Sequence, residues 1–371
     1  MNTHAISRRQ VIATASATIG AAAVGMAAAP PSVATPARAA SQTDNVPEFW
    51  YQDNNLGQGG GVPPDFRSRY DDLAAWDKAR AVMHTFVLGQ NALVKQGLRD
   101  DPAFLASMAA AHADHHVAYN VTQATTWWWG YYRRTGEIPS GPANFTRTIN
   151  ELHDLADAGL HITDIMLQSV LTKPGPGGFL GYSTERRIQD VVEFNDQVRA
   201  EFPGVRIGVI YPLTNKPGIY LPWREALTVL QSELQSSGHE LDFIHFDKPF
   251  EHPRLEIEDS SGPMTWDRMV EVEQFVKSLG VTFGLQCTDG RGGRASNNEF
   301  RELVLDGLAT YIAHGGAADR YILWPFHPYP DHSLPDDLGP LPPEGASQLR
   351  LFRELAAGAA EQHAPRSNQT R

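Results

Sequence analysis

The chain has 371 residues, and its hydrophobic share of 42% and charged share of 20% are those of a globular protein with one large domain or two ordinary ones. A formal net charge of -12 sets the surface against phosphate backbones and anionic lipid, which excludes nucleic acid and membrane as expected partners. Cys287 is the single cysteine, so no intrachain disulfide can form.

The N-terminus reads as an export signal. Ser7-Arg8-Arg9-Gln10-Val11-Ile12 resembles the twin-arginine motif, and a weakly apolar run rich in Ala and Gly follows from Val11 to Ala29. Ala37-Arg38-Ala39 then offers small residues at the two positions a signal peptidase reads. A membrane anchor is the competing reading. Interruption of the run by Thr, Ser and Gly, and its closure at Pro30-Pro31, count against it. Residues 1–39 are therefore expected to be removed, leaving a protein that works in the periplasm or outside the cell. The loss of Arg8, Arg9 and Arg38 would make the net charge about -15.

Residues 40–64 read as a polar linker and N-terminal loop segment, the latter carrying Phe49, Trp50 and Tyr51 before a Gly/Pro stretch. From residue 65 to 360 an alternation of helical patterns and short apolar runs predicts a single domain. The apolar runs are Val82–Leu88, His116–Val121, Ile162–Leu167, Val205–Tyr211, Leu241–Phe246, Val281–Cys287 and Tyr321–Trp324. Helical stretches fall at Pro102–Ala113, Phe145–Ala158, Thr184–Phe202, Leu221–Ser236, Thr265–Leu279, Asn298–Ala313 and Gly345–Ala360. Asp101-Pro102 and Ser183 supply start signals, and Gly159, Gly204, Gly238, Gly280 and Gly315 mark ends. Residues 361–371 read as a frayed tail.

Each helix is followed by its next strand within a few residues, whereas the segments after the strands are long. That asymmetry predicts an α/β fold of the (β/α)8 TIM-barrel type, in which loops after the strands build the site. The eighth strand falls at Phe49–Tyr51 or is degenerate. A doubly wound open sheet is the alternative, and no Gly-rich phosphate turn follows an early strand to support it.

The candidate chemistry lies at strand ends. In Leu241–His252 an apolar run ends in charge, and alternation puts Phe243, His245 and Asp247 on one face. Val281–Asp289 ends similarly, with Cys287 and Asp289 sharing a face and Arg291 in the Gly-rich turn behind them. Neighbouring barrel strands lie about 4.8 Å apart, so two acids at adjacent ends can divide acid and nucleophile or base roles in glycoside hydrolysis. The bland readings are an Asp247–Lys248 pair and an Asp-Gly turn at Asp289. Aromatic loops follow two strands: Trp127, Trp128 and Trp129, and the Trp324-Pro325-Phe326-His327 segment. Such rings suit the apolar faces of sugars, and equally suit a core. Asn120, Gln123, Gln168, Tyr211 and Asn215 offer neutral polar groups at strand ends, with Glu251 and His252 in the loop after Asp247. A metal site from His245, Asp247, His252 and His327 is a weaker alternative, because these residues lack a ligand spacing; no metal and no cofactor is expected.

On Asp247, Asp289, the Trp324–His327 strand end and the aromatic loops, the region from Val82 to Leu355 resembles exported bacterial TIM-barrel proteins related to glycoside hydrolases. The resemblance is at superfamily level. It implies an enzyme acting on a carbohydrate or glycoside, with Asp247 and Asp289 as catalytic carboxylates and His245 orienting Asp247. Trp127, Trp128, Trp129, Gln168, Tyr211, Glu251, Arg291, Trp324 and His327 would bind the sugar or other polar small molecule. One departure stands out: the strands ending Leu167-Gln168-Ser169 and Ile210-Tyr211-Pro212 carry no carboxylate. A barrel that binds glycan without turnover, or a metal-dependent hydrolase or lyase, therefore stays open.

Overall fold

The computed structural model describes residues 46–53, 63–90, 93, 97–121, 145–168, 170–171, 183–213, 221–259 and 262–363. Its centre is a barrel of eight parallel strands: β1 (Glu48–Gln52), β2 (Thr85–Gly89), β3 (His116–Val121), β4 (Ile162–Gln168), β5 (Arg206–Tyr211), β6 (Phe243–Phe246), β7 (Thr282–Cys287) and β8 (Arg320–Leu323). Each strand pairs with the next in sequence, and β8 pairs with β1 to close the ring. The helices that follow them are α1 (Asp77–Arg80), α2 (Pro102–Ala111), α3 (Thr146–Asp157), α4 (Thr184–Glu201), α5 (Trp223–Ser236), α6 (Trp266–Ser278), α7 (Asn297–Ala313) and α8 (Gln348–His363). This is the (β/α)8 fold.

The helix signals act as their chemistry predicts. Asp101 accepts from the Phe104 N–H at 3.1 Å ahead of Pro102, and Ser183 accepts from Arg186 at 3.2 Å. Gly159, Gly204, Gly238, Gly280 and Gly315 all hold positive φ, the left-handed turn that releases the chain into the next strand. Two boundaries need correction. The barrel begins at Glu48 and not at residue 65, because Phe49 and Tyr51 pack outward while Trp50 fills the interior. The last helix runs to His363, three residues past the expected Ala360.

Alternation along the strands builds two separate apolar layers. Phe86, Tyr119, Ile165, Val209, Ile244, Leu285, Cys287 and Leu323 face the helices. Trp50, Val87, Ala118, Met166, Ile210, Phe243, Ile322 and Trp324 fill the barrel. Large interior rings require small residues opposite. A Cβ at Gly208 would strike the Phe243 ring, and one at Gly284 would lie 3.0 Å from His245 Nε2.

Charge closes the N-terminal end of the barrel. Arg320, 2% exposed, pairs with Glu48 at 3.0 Å and Asp164 at 3.8 Å, and stacks 4.5 Å over Trp50 and 4.8 Å over Phe243. Arg206 reaches Asp164 at 2.8 Å. Burial alone would raise the Glu48 carboxyl, but Arg320, the Trp50 indole N–H and Arg206 hold it below the ordinary glutamate value. Removing one member of such a set strands the others out of water. Asp164→Ala should therefore cost roughly 3 kcal/mol or more in chemical denaturation. A change below about 1 kcal/mol would show that the floor is not a coupled unit.

Candidate functional site

The C-terminal end of the barrel differs from its floor: the fully buried inward side chains there are neutral. Gln52 on β1, Asn120 on β3, and Gln286 and Thr288 on and just beyond β7 are each at most 2% exposed. Both amide atoms of Gln52 and Asn120, the Gln286 Nε2 and the Thr288 hydroxyl have no hydrogen-bond partner among the described residues. His245 lies in the same interior, fully buried, with both ring nitrogens unpartnered. Its ring stands 4.5 Å from Phe243 and edge-on to Trp50 at 4.9 Å, in the room that Gly284 leaves. Natural interiors satisfy nearly all buried polar groups, and each orphan is typically worth about 1–3 kcal/mol. Several on one inward face, at the end where this fold places its chemistry, make that end the candidate site.

Asp247 continues the inward set Phe243–His245 and is half-buried; its N–H bonds the Tyr211 carbonyl at 3.1 Å, extending the β5–β6 ladder. Its neighbour Lys248, 2% exposed, points at Asp259, 3.5 Å away. Burial pushes the Lys248 ammonium below its ordinary range, against the opposing pull of Asp259 and Asp247.

Asp289 belongs elsewhere. It is fully buried and follows the outward parity of Leu285 and Cys287. One carboxylate oxygen takes the Arg254 guanidinium at 2.6 Å, and the other accepts from the Gly292 N–H at 2.8 Å. Arg254 in turn donates to the Leu303 carbonyl of α7 at 2.9 Å, which ties Asp289 to the helical layer. By strand parity Asp289 continues the outward set of its strand and Asp247 the inward set of its own. Asp289 braces loops.

A third carboxyl converges on that bracing. Glu251, half-buried at the start of the turn Glu251–Arg254, accepts from the Gly290 N–H. His327, in the loop after β8, is 5% exposed and packs its ring 4.2 Å from Phe326. A Cβ on Gly290 would collide with Glu251 Oε1 and lie 2.9 Å from His327 Nε2, so both heads occupy the space in front of that glycine. Burial, helped by the charge of Asp289, raises the Glu251 carboxyl above its ordinary value. Burial and then Arg294 lower the His327 imidazole.

The remaining expected residues divide. Trp324 is 4% exposed and packs inside the barrel with Trp50 and Phe243, so it lines the interior as a ring wall would. Gln168 is half-buried at the end of β4. Tyr211 is buried in the apolar layer that faces the helices. Arg291 is exposed, with Glu299 as a distant 3.9 Å partner, and does not hold Asp289. Trp127, Trp128, Trp129, Gln123 and Asn215 lie outside the described residues. Gln52 and Gln286 went unnoticed in the sequence. The available signal was a neutral amide inside a buried apolar strand, in Gln52 two residues from the inward Trp50. Among the described residues, no group of three or more His, Cys, Asp or Glu is placed to hold a metal.

No protein-family model matches the chain, and no curated protein matches it. Solved structures resemble its fold. A glucosidase from Croceicoccus marinus aligns with a TM-score of 0.47 and 12% identity, over 85% of this chain and 68% of the other. A xylanase from Thermoanaerobacterium saccharolyticum gives 0.47 and 11%, over 76% and 86%. A 7,8-dihydropteroate synthase from Vibrio fischeri gives 0.43 and 10%, over 88% and 96%. The chain's own closed ring of eight parallel strands makes it a TIM-barrel protein, a fold shared by unrelated chemistries.

The orphaned groups make a two-signed test. Replacing a buried, unpartnered polar side chain by an apolar one of similar shape is neutral or stabilising. Asn120→Leu and His245→Phe should therefore hold or raise the thermal midpoint at pH 7.5; a loss above about 2 kcal/mol in either would mean that the group has a structural partner. Acidity provides a second check. Burial, with the charges of Arg320 and Arg206, holds His245 well below its ordinary pKa. The folded chain thus refuses a proton that the unfolded chain accepts, so this stability is present above about pH 6.5 and is lost as the pH falls below it. His112 is shifted the same way by burial and adds to the slope. His245→Phe should lose less thermal stability than the parent between pH 7.5 and 5.5; an unchanged slope would contradict the assignment.

Proposed function

We propose that the barrel mouth binds an uncharged, polyhydroxylated ligand, and that the protein is an exported enzyme acting on a carbohydrate or glycoside. The observation that carries this reading is the inward set of orphaned neutral groups, Gln52, Asn120, Gln286 and Thr288, beside the rings of Trp50 and Trp324. Amides that both donate and accept match hydroxyl groups, and flat rings match the C–H faces of a sugar. Of the described cations, Lys248 is committed to Asp259 and Arg254 to Asp289. A phosphorylated ligand would find no free partner in them.

Within that reading Asp247 is the inward carboxylate that activates water or stabilises positive charge on the sugar ring, with His245 below it. The twin-arginine motif and the acidic composition support export without a membrane or nucleic-acid partner. One observation favours a second reading, a barrel that binds glycan without turnover: the Asp289 and Glu251 carboxylates both accept backbone N–H groups, as structural braces do.

Residues 40–371 assayed against a broad series of aryl glycosides and oligosaccharides decide between the two. Turnover is expected, and Asp247→Asn should lower kcat by about 10²–10⁴-fold while leaving the fold intact. Asp289→Asn should instead lower the thermal midpoint. Undiminished turnover in Asp247→Asn would remove the catalytic assignment, and glycan retention without any turnover would establish the binding reading.

A further inference from the structure

We propose that Glu251 is the proton donor of this site and that His327, facing it across Gly290, is the residue that positions and recharges its proton. The assignment deepens the glycoside-acting reading and rests on it. Its basis is the meeting of three loops at one glycine. Glu251 opens the turn after β6, Gly290 lies in the loop after β7, and His327 lies in the loop after β8. Glu251 Oε2 accepts from the Gly290 N–H, while Oε1 stands in front of the same residue, where any side chain would displace it. His327 Nε2 is 2.9 Å from that Cβ position, so oxygen and nitrogen approach one point from two sides. Gly293 admits the histidine: a Cβ there would come within 2.8 Å of His327 Cβ.

The loops cannot slide independently. Phe250 N–H bonds the Thr288 carbonyl at 2.8 Å, Tyr329 N–H bonds the Gly293 carbonyl at 3.0 Å, and Arg254 joins Asp289 at 2.6 Å. Glu251 and Arg254 share one helical turn, so the Arg254–Asp289 pair fixes the turn that carries the acid. The charged groups facing the pair are Asp289, Arg294 and, at the surface, Arg291. Burial raises the Glu251 carboxyl, against the pull of the Gly290 N–H, and lowers the His327 imidazole.

In the step that follows, the Glu251 proton moves to the glycosidic oxygen as the bond from the anomeric carbon to that oxygen breaks, and the bonding pair stays on the leaving oxygen. Water adds to the anomeric carbon and gives its proton to Asp247. Glu251 then recovers a proton from solvent through His327, and Asp247 returns one to solvent. The sum is glycoside plus water giving sugar plus alcohol.

A proton donor matters most when the leaving group is poor, and this separates chemistry from structure. Phenyl and 2,4-dinitrophenyl glycosides of the same sugar are compared in the parent, Glu251→Gln, Gly290→Ala and His327→Asn. Glu251→Gln should lose about 10²–10⁴-fold in kcat/KM on the phenyl glycoside and far less on the dinitrophenyl one. Gly290→Ala, which pushes a methyl group between the two heads, should show the same bias. His327→Asn should move the alkaline limb of the pH profile on the phenyl glycoside, an effect that a purely structural histidine would not produce. Equal losses on both substrates in Glu251→Gln, or an alkaline limb unmoved in His327→Asn, would overturn the assignment. A parent protein inert to every aryl glycoside would instead overturn the proposed function, and this donor with it.

Discussion

A side chain on a barrel strand has two destinations, the interior or the helical layer, and successive residues must take opposite ones. That single constraint organises the molecule. It places Arg320, Ile322 and Trp324 of the last strand region in one interior column, so that floor, core and mouth follow from one strand. It also separates two aspartates that look equivalent in sequence. Asp247 continues the inward column of Phe243 and His245, whereas Asp289 continues the outward column of Leu285 and Cys287.

The interior column changes character along its length. At the N-terminal end it is charged and internally compensated, with Arg320 held by Glu48, Asp164 and two aromatic faces. In the middle it is apolar, with Gly208 and Gly284 making room for Phe243 and His245. At the C-terminal end its fully buried groups are polar and neutral, without hydrogen-bond partners among the described residues. Stability considerations alone would favour apolar residues there, because each orphaned amide weakens the fold. The floor's buried charges have ion-pair partners, whereas Gln52, Asn120, Gln286 and Thr288 at the mouth are neutral groups that a polar ligand could satisfy.

Much of the fold was legible because its signals are local. The Asp101-Pro102 and Ser183 starts and the glycines at positive φ marked helices to within a few residues. The first strand was not equally plain. Glu48–Gln52 has only three large apolar residues between polar neighbours, and its burial comes from pairing with β8 and β2, partners far away in sequence. The site was legible in part. Alternation grouped His245 with Asp247 and Cys287 with Asp289, but could not say which group faced inward. Strands of a parallel barrel are buried on both sides, so apolar residues on each face remove the cue that an amphipathic strand would give. Gln52 and Gln286 were lost for the same reason, and the Glu251–His327 convergence depends on loops from three different strands meeting at Gly290.

The central claim is that the orphaned mouth groups belong to a ligand. A high-resolution crystal structure of residues 40–371 grown with a mixture of neutral monosaccharides and their phosphorylated counterparts tests it most directly. The account predicts a neutral sugar in the barrel mouth, with hydroxyl groups within hydrogen-bond distance of Gln52, Asn120 and Gln286 and a ring face against Trp324. A sugar seated elsewhere, a phosphorylated sugar in the mouth, or amides there bonded to the chain's own loops would contradict it.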